Sequence, residues 1–513
     1  MKTNQIISAL VFTLLLILNS CGEDDTPMPD DTFAQTDDDP MMDDPDPAET
    51  LSMERQENIS LLTADSERVW RITSAQLTNT SGTFNISNNF NVTDDEFIFK
   101  NTPIQTGRNT EFEGTLEWRG GFDFNTFATN LEETLTELFL FSLTTSFDYV
   151  GESGTQLEAI LDEFSFNISI NDDTVNAIWD FENSVILELE LVPKLEEDYA
   201  QVPSSILEFT EEFTFQSNGI SNFAPGMIGS LSSNSFYLAT RESAFNNGSI
   251  NPERVIKFDL NTGISTEKLT FSTDFVSKQL NIIDDRLYIA GGQRVNSYDL
   301  NLDNEATISQ DYGSLLGIGS LGLSRYGTAV LENDIYIIGG DLDNNLSDQI
   351  FVFNTQTETM DNIATIPEPR SGARAEIVNN KLYIFGGTEE FFTPPAKETI
   401  YIYDLETEEI TTESMPLPIN FTFTGKTENL IYVAGRIDME ATETTEFDFE
   451  PYLGVYDTRT GVFTELETNL ESPELETIHS MAVFNDKIYI IYGQGETQEE
   501  GALQTWSILS ADI

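Results

Sequence analysis

Apolar and polar residues alternate in short runs along most of this chain, and clusters of Asn, Asp and Gly interrupt the runs. Alternation with period two predicts half-buried strands. ERVWRITSAQL around Trp70 and Ile72 is one such run. FNISNNFNV, DEFIFKN, GTLEWRGGFDF, FSFNISI, VNAIWDF and SVILELELV are others, all within a first globular region from about Glu57 to Ala200. One segment departs from the pattern. Phe127, Leu131, Leu135 and Leu138 share a helical face, which predicts a helix over 126–142. Trp70, Trp118 and Trp179 sit on alternating strands, where a large aromatic faces inward more often than it serves as a ligand platform.

Beyond residue 200 the strands repeat. KLYIFGG, with Tyr383, has relatives in SFYLATR (Tyr237), RLYIAGG (Tyr288), DIYIIGG (Tyr336), LIYVAGR (Tyr432) and KIYIIYG (Tyr489). The tyrosines are separated by 51, 48, 47, 49 and 57 residues. A second signature lies downstream of each of the first five: KFDLNTG, SYDLNLD, FVFNTQT, IYDLETE and VYDTRTG, with TWSILS around Trp506 in the last copy. A unit of about 50 residues holds four short strands. One such sheet cannot bury both of its faces, so neighbouring copies must stack. The glycine pairs Gly291-Gly292, Gly339-Gly340 and Gly386-Gly387 mark where the second strand needs positive φ or close backbone approach. The tyrosine before them supplies packing with a polar tip.

The repeated unit resembles kelch repeats over about 300 residues. The resemblance implies an all-β chain: a six-bladed kelch-type β-propeller over 206–513. Ala239-Thr240, Ala434-Gly435 and Tyr492-Gly493 depart from the glycine-pair pattern. The last copy ends after its third strand. Glu211–Ser217, EEFTFQS, is expected to complete the last blade as its outermost strand and close the ring.

The N-terminal part divides by composition. Met1-Lys2 and the apolar stretch Ile6 to Leu18 form a targeting segment that ends at Cys21. This resembles a bacterial lipoprotein lipobox, which implies a signal peptide over 1–21 and lipidation at Cys21. Cys21 is the single cysteine, so an intramolecular disulfide is excluded. Residues 22–55 are acidic and poor in large apolar side chains, which predicts a disordered tether. An acidic run just after the lipid cysteine resembles the export signal of Bacteroidetes surface lipoproteins. That implies an outer-membrane protein at the cell surface. Over 56–205, LLTADSERVWRI and VTDDEFIFKN resemble the lipocalin-like domains of such lipoproteins, which implies a small antiparallel β-barrel or sandwich.

Charge narrows the partners. The chain carries 89 acidic against 24 basic residues, a formal net charge of −65. Such a surface repels nucleic acid and anionic membranes. The lipid anchor would be the contact with the outer membrane. Against this background, arginines gather near one end of the predicted blades. Arg241, Arg294 and Arg436 follow the strand-two signature, Arg325 and Arg370 precede strand one, and His479 does so in the last copy. Phe391, Phe392 and Tyr492 fall at the same end and could stack on sugar rings. Two readings stay open: an anion-receiving mouth, or arginines that hydrogen-bond blade carbonyls and pair with local carboxylates.

Catalytic chemistry finds little support. One histidine and one cysteine cannot supply a copper-radical oxidase site or a zinc site, and no nucleophile elbow accompanies His479. Asp341, Asp343 and Asn345 in DLDNNLSDQ alternate as oxygen ligands of a calcium loop would, without the loop's glycine or terminal glutamate. No cofactor is implied beyond that calcium option. The expected function is a non-enzymatic propeller that binds a glycan or a protein at the cell surface. A sugar mutarotase of the kelch sialic acid type and an adhesive scaffold are the alternatives.

Overall fold

The computed structural model describes residues 53–64, 66–80, 82–87, 96–101, 104–106, 110–112, 114–119, 143–150, 156–159, 165–171, 173–181, 185–217, 226–230, 233–241, 253–271, 278–283, 286–291, 294–302, 305–307, 323–342, 345–390, 393–439, 448–471, 476–494 and 504–513. The targeting segment, Cys21, nearly all of the acidic tether, the helix expected over 126–142, and Phe391, Phe392 and Asp343 lie outside them. Among the described residues no helix is long and apolar enough to cross a membrane.

The described chain opens with a helix, Met53–Thr63, that begins inside the segment read as tether. Its buried face carries Ile59 and Leu62, and Trp70 Nε1 donates to the Leu62 carbonyl at 2.8 Å. The indole hydrogen bond satisfies a helix-end carbonyl while its ring stays wholly buried. The strand Glu67–Asn79 then pairs with Glu96–Lys100 along one edge and with Val185–Pro193 along the other. The second pairing closes an antiparallel sheet on itself through Gly114–Arg119, Leu143–Val150, Gln156–Ala159, Ser165–Asn171 and Thr174–Phe181. Closure leaves this barrel without free edges among those strands. Alternation decides its filling: Leu187, Leu189 and Leu191 are buried while Glu188 and Glu190 between them are exposed. Trp70 joins this core; the side chains of Trp118 and Trp179 lie outside the described set.

Residues 194–200 carry the chain from barrel to propeller and are clamped on the way. Arg459 grips both carboxylate oxygens of Glu196 at 3.0 Å and lies 4.2 Å over the Tyr199 ring. Lys194 stacks on the same ring and pairs with Glu96 of the barrel and Glu428 of the propeller. Asn429 exchanges two hydrogen bonds with the Ala200 backbone, at 3.0 and 3.2 Å.

Beyond the barrel the described residues form six four-stranded antiparallel sheets, with a small three-stranded sheet of Leu323–Ser324, Asp341–Leu342 and Asn345–Leu346 and a hairpin of Thr388–Glu390 with Thr393–Ala396 beside them. The inner strands of the six are Met227–Ser230, Lys278–Ile283, Gly327–Leu331, Arg374–Val378, Asn420–Lys426 and Glu476–Phe484. We number the sheets as blades 1 to 6 in that order. Each inner strand touches the next, and the first touches the last, so the contacts run full circle. Thr210–Ser217 lies outermost in blade 6, antiparallel to Gln504–Asp512. Phe213 of that strand packs on Phe236 and Phe258 of blade 1, at 5.8 and 5.4 Å between ring centroids. The closing strand therefore holds two blades together with side chains as well as with its ladder.

Both repeat signatures have a local cause. The strand-two tyrosines 237, 288, 336, 383, 432 and 489 are all buried between blades. Tyr237 hydroxyl donates to the Leu300 carbonyl of the next blade at 2.7 Å. In the second signature, the acidic or amide side chain folds back on its own turn. Asp259, Asn354 and Asp404 each accept two backbone N–H bonds from the residues two and three ahead. These Asx turns end the third strand and start the fourth.

Phe215, near-buried against Trp506, Phe236 and Phe258, tests the closing strand. Phe215→Ala is expected to lower unfolding free energy by about 3–5 kcal/mol in urea titrations.

Candidate functional site: the glycine end of the ring

The second strands end where the first strands begin, so both meet at one end of the ring. In blade 4 the register Arg374 opposite Phe385 sets Ser371 beside Thr388, and the two exchange backbone bonds of 3.0 and 2.9 Å. Gly339 and Gly340 have φ of 61° and 80°. A Cβ on Gly339 would sit 2.7 Å from the Arg370 carbonyl of the next blade. This approach lets the Gly340 N–H donate to that carbonyl at 2.7 Å. The glycine pair thus sews blade 3 to blade 4 at the mouth.

The arginines that precede strand one are drawn into this seam. Arg325, at φ of 53°, donates from Nε to Asp341, and both side chains are buried. Ser371 and Ser324 hydroxyls approach the same carboxylate oxygen at 3.3 and 3.5 Å. Burial pushes Asp341 up from the ordinary carboxylate range and Arg325 down, and each partner's charge opposes that push. Arg370 is wholly buried. Its Nη1 donates to the Gly386 and Thr399 carbonyls at 3.0 and 2.7 Å, and its guanidinium stacks 4.2 Å from the Tyr401 ring centroid. Arg325 is thus placed against a local carboxylate and Arg370 against two carbonyls of its own blade. Asp341 serves Arg325; Asn345, also read as a calcium ligand, is exposed. Among the described residues no cluster of three His, Cys, Asp or Glu side chains is placed to hold a metal.

A second group forms between blades 5 and 6. Arg436 stands opposite Asn420 in the ladder and stacks 4.2 Å over Phe421. Its charge reaches His479 of blade 6. The imidazole is buried, bonded through Nε2 to the Gly493 carbonyl at 3.1 Å, and set edge-on to Trp506. Burial first, and the Arg436 charge after it, lower its pKa to about 4. Tyr492 is buried beside them and donates its hydroxyl to the Glu471 carbonyl. Arg241 ends the second strand of blade 1 and Arg294 opens the third strand of blade 2, both at the same end; their side chains lie outside the described set.

Three charged side chains escaped the sequence reading: Arg374 and Glu376 on the inner strand of blade 4, and Lys426 on that of blade 5. All three are only half-buried, yet protein surrounds them deeply. Inner strands of a propeller ring a central channel, and all three groups sit on such strands. Lys426 Nζ donates to the Ile377 carbonyl of blade 4, and Glu376 bonds Thr424 of blade 5. In blades 2 and 3 an uncharged pair, Asn281 and Thr328, bridges inner strands at 2.9 Å. The signal in the sequence was RSGARAE, where charges occupy strand positions on which other copies carry uncharged residues.

Comparison with known proteins agrees with this geometry. The KLHDC2/KLHL20/DRC7 Kelch-repeats domain family matches residues 277–495. Over those residues the repeats match kelch repeats. An N-(sulfonatooxy)prop-2-enimidothioate sulfolyase of Thlaspi arvense is 28% identical over 187 residues, 33% of this chain and 51% of that protein. The Kelch-like protein terF of Aspergillus terreus (strain NIH 2624 / FGSC A1156) is 24% identical over 226 residues, 41% of this chain and 48% of that protein. The kelch chain thus spans about half the length of these curated relatives.

Two outcomes are expected. Asp341→Ala leaves Arg325 buried without its carboxylate, and is expected to cost about 3–5 kcal/mol in denaturant titrations. For His479, the folded chain refuses a proton that the unfolded chain accepts near pH 6.5. The stability it contributes is therefore whole above about pH 6.5 and falls by about 3 kcal/mol as pH drops toward about 4. Urea titrations of His479→Phe between pH 7 and pH 4 are expected to show a shallower acid loss than the parent chain.

Proposed function

We propose that this kelch propeller is a binding module for an acidic partner, a glycan or a protein, held at the outer membrane surface by lipid on Cys21. The observation that carries the reading is Arg436 laid on Phe421 at the glycine end, beside the neighbouring blade's His479. A guanidinium over an aromatic ring offers a charged edge and a flat shelf, which suits a carboxylated sugar or an acidic side chain. Arg241 and Arg294, at the same end of blades 1 and 2, extend that character around the mouth. Kelch propellers generally mediate protein binding, and the polar, loop-built end of the ring is the surface this reading assigns to it. The lipocalin-like barrel, fixed to blade 5 through Glu196, Tyr199 and Ala200, would hold the propeller at a set angle to its anchor.

A glycan array spanning neutral, sialylated and uronic-acid sugars tests the ligand class. Arg436→Ala and Arg241→Ala are expected to weaken retained acidic ligands by about tenfold or more each. Equal retention by both variants and the parent would remove the mouth from the reading. Cys21→Ser is expected to move the protein from the membrane fraction to the soluble fraction after cell lysis; continued membrane retention counts against the anchor.

A further inference from the structure

We infer that the axial channel contains an oxyanion site built on Arg374, one layer below the glycine mouth. Arg374 lies on the inner strand of blade 4, opposite Phe385. Its Nη1 donates to the Ala373 carbonyl at 2.9 Å and leans on the Tyr326 carbonyl at 3.4 Å. The guanidinium centre stands 5.9 Å from the Phe423 ring centroid of blade 5. These contacts hold one end of the group and leave the other. Nε and Nη2 have no protein partner among the described residues, and the side chain as a whole is only half-buried.

The contrast with the other arginines carries the argument. Arg325 has Asp341, and Arg459 has Glu196 and Asp457. Arg370 is stacked and sealed inside its blade. Arg374 touches carbonyls and a ring, and no carboxylate among the described residues. Glu376, two residues along, is turned to Thr424 and feels Lys426. Glu376 is thus engaged with Lys426 and Thr424, and among the described residues no carboxylate acts on Arg374. Burial lowers the Arg374 pKa to about 10, the mark of a cation enclosed without full compensation. A partly desolvated charge of this kind gains from a counter-ion.

The open edge specifies the ligand. Nε–H and Nη2–H point in parallel and match two oxygens of one carboxylate, sulfate or phosphate group. Phe423 closes one side with an apolar ring. The bound group is thus a small oxyanion, or an oxyanion carried on a larger ligand that enters from the mouth. The site rests on the ligand-binding reading only for the identity of the molecule that brings the oxyanion.

Titrations of the whole chain with sodium sulfate and with sodium acetate, at constant ionic strength set with sodium chloride, test the site. Thermal midpoint and calorimetric heat are both recorded. A saturable response is expected in the parent chain, weakened by about tenfold or more in Arg374→Gln and kept in Lys381→Gln, an exposed cation away from both sites. A preference for acetate points to a planar carboxylate, and a preference for sulfate to a tetrahedral group. A response that is unsaturable, or the same in Arg374→Gln, overturns the site. Should Arg374→Gln fail to fold, crystals of the parent chain soaked in selenate decide the matter. Anomalous density against the Nε–Nη2 edge supports the site, and an empty edge at saturating selenate overturns it. Failure of the glycan array leaves this measurement intact, because inorganic anions need no mouth contacts.

Discussion

A four-stranded sheet with two apolar faces cannot stand alone in water, and that constraint organises the kelch half of this molecule. Each sheet buries its faces only against its neighbours, so a linear row would leave two faces wet. The inner strands instead contact one another in a full circle. The consequence reaches into the side chains: Tyr237 crosses to the Leu300 carbonyl, and Tyr456 of blade 5 donates to Glu413 of blade 4 at 2.6 Å. Those bonds satisfy hydroxyls that burial would otherwise penalise. They also drive the Tyr456 hydroxyl well above its ordinary pKa, through burial first and the Glu413 partner after it.

The same stacking decides where chemistry can occur. Between blades the space is filled by aliphatic and aromatic side chains, and buried arginines there are held by specific partners, Arg325 by Asp341 and Arg370 by the Gly386 and Thr399 carbonyls. At the mouth and along the axis, inner strands have no sheet inside them, so polar side chains reach space shared by all the blades. Arg436 on Phe421 and Arg374 beside Phe423 occupy such places. The clasp at residues 194–200 adds a second constraint, since its ion pairs and Tyr199 stacking tie the barrel to blade 5.

Much of the fold was legible because its periodicities are local. Alternation over VILELELVP gives a strand whose leucines face in, and the Asx turns at Asp259 and Asp404 need only three residues of chain. Thr210–Ser217 was legible as the closing strand from an accounting of strands alone. The strands Leu143–Val150 and Gln156–Ala159 were not, because their runs are short and share apolar residues with no clear alternation. The helix Met53–Thr63 hid within an acidic stretch, since only Ile59 and Leu62 mark its buried face.

Sequence alone determined the repeat, the strands within it and the positions where glycine is required, since each depends on φ, period or turn chemistry within a few residues. It also determined which residue types were too scarce for oxidase or zinc chemistry. Only the tertiary structure decided the fate of each arginine. Arg370 and Arg374 lie four residues apart, yet one is sealed on Tyr401 and the other keeps an open edge in the channel. The difference comes from what stands opposite: carbonyls and rings from Gly386, Thr399 and Tyr401 around the first, and the axis of the ring beside the second. Burial and partner are set by segments distant along the chain, and no local pattern carries them.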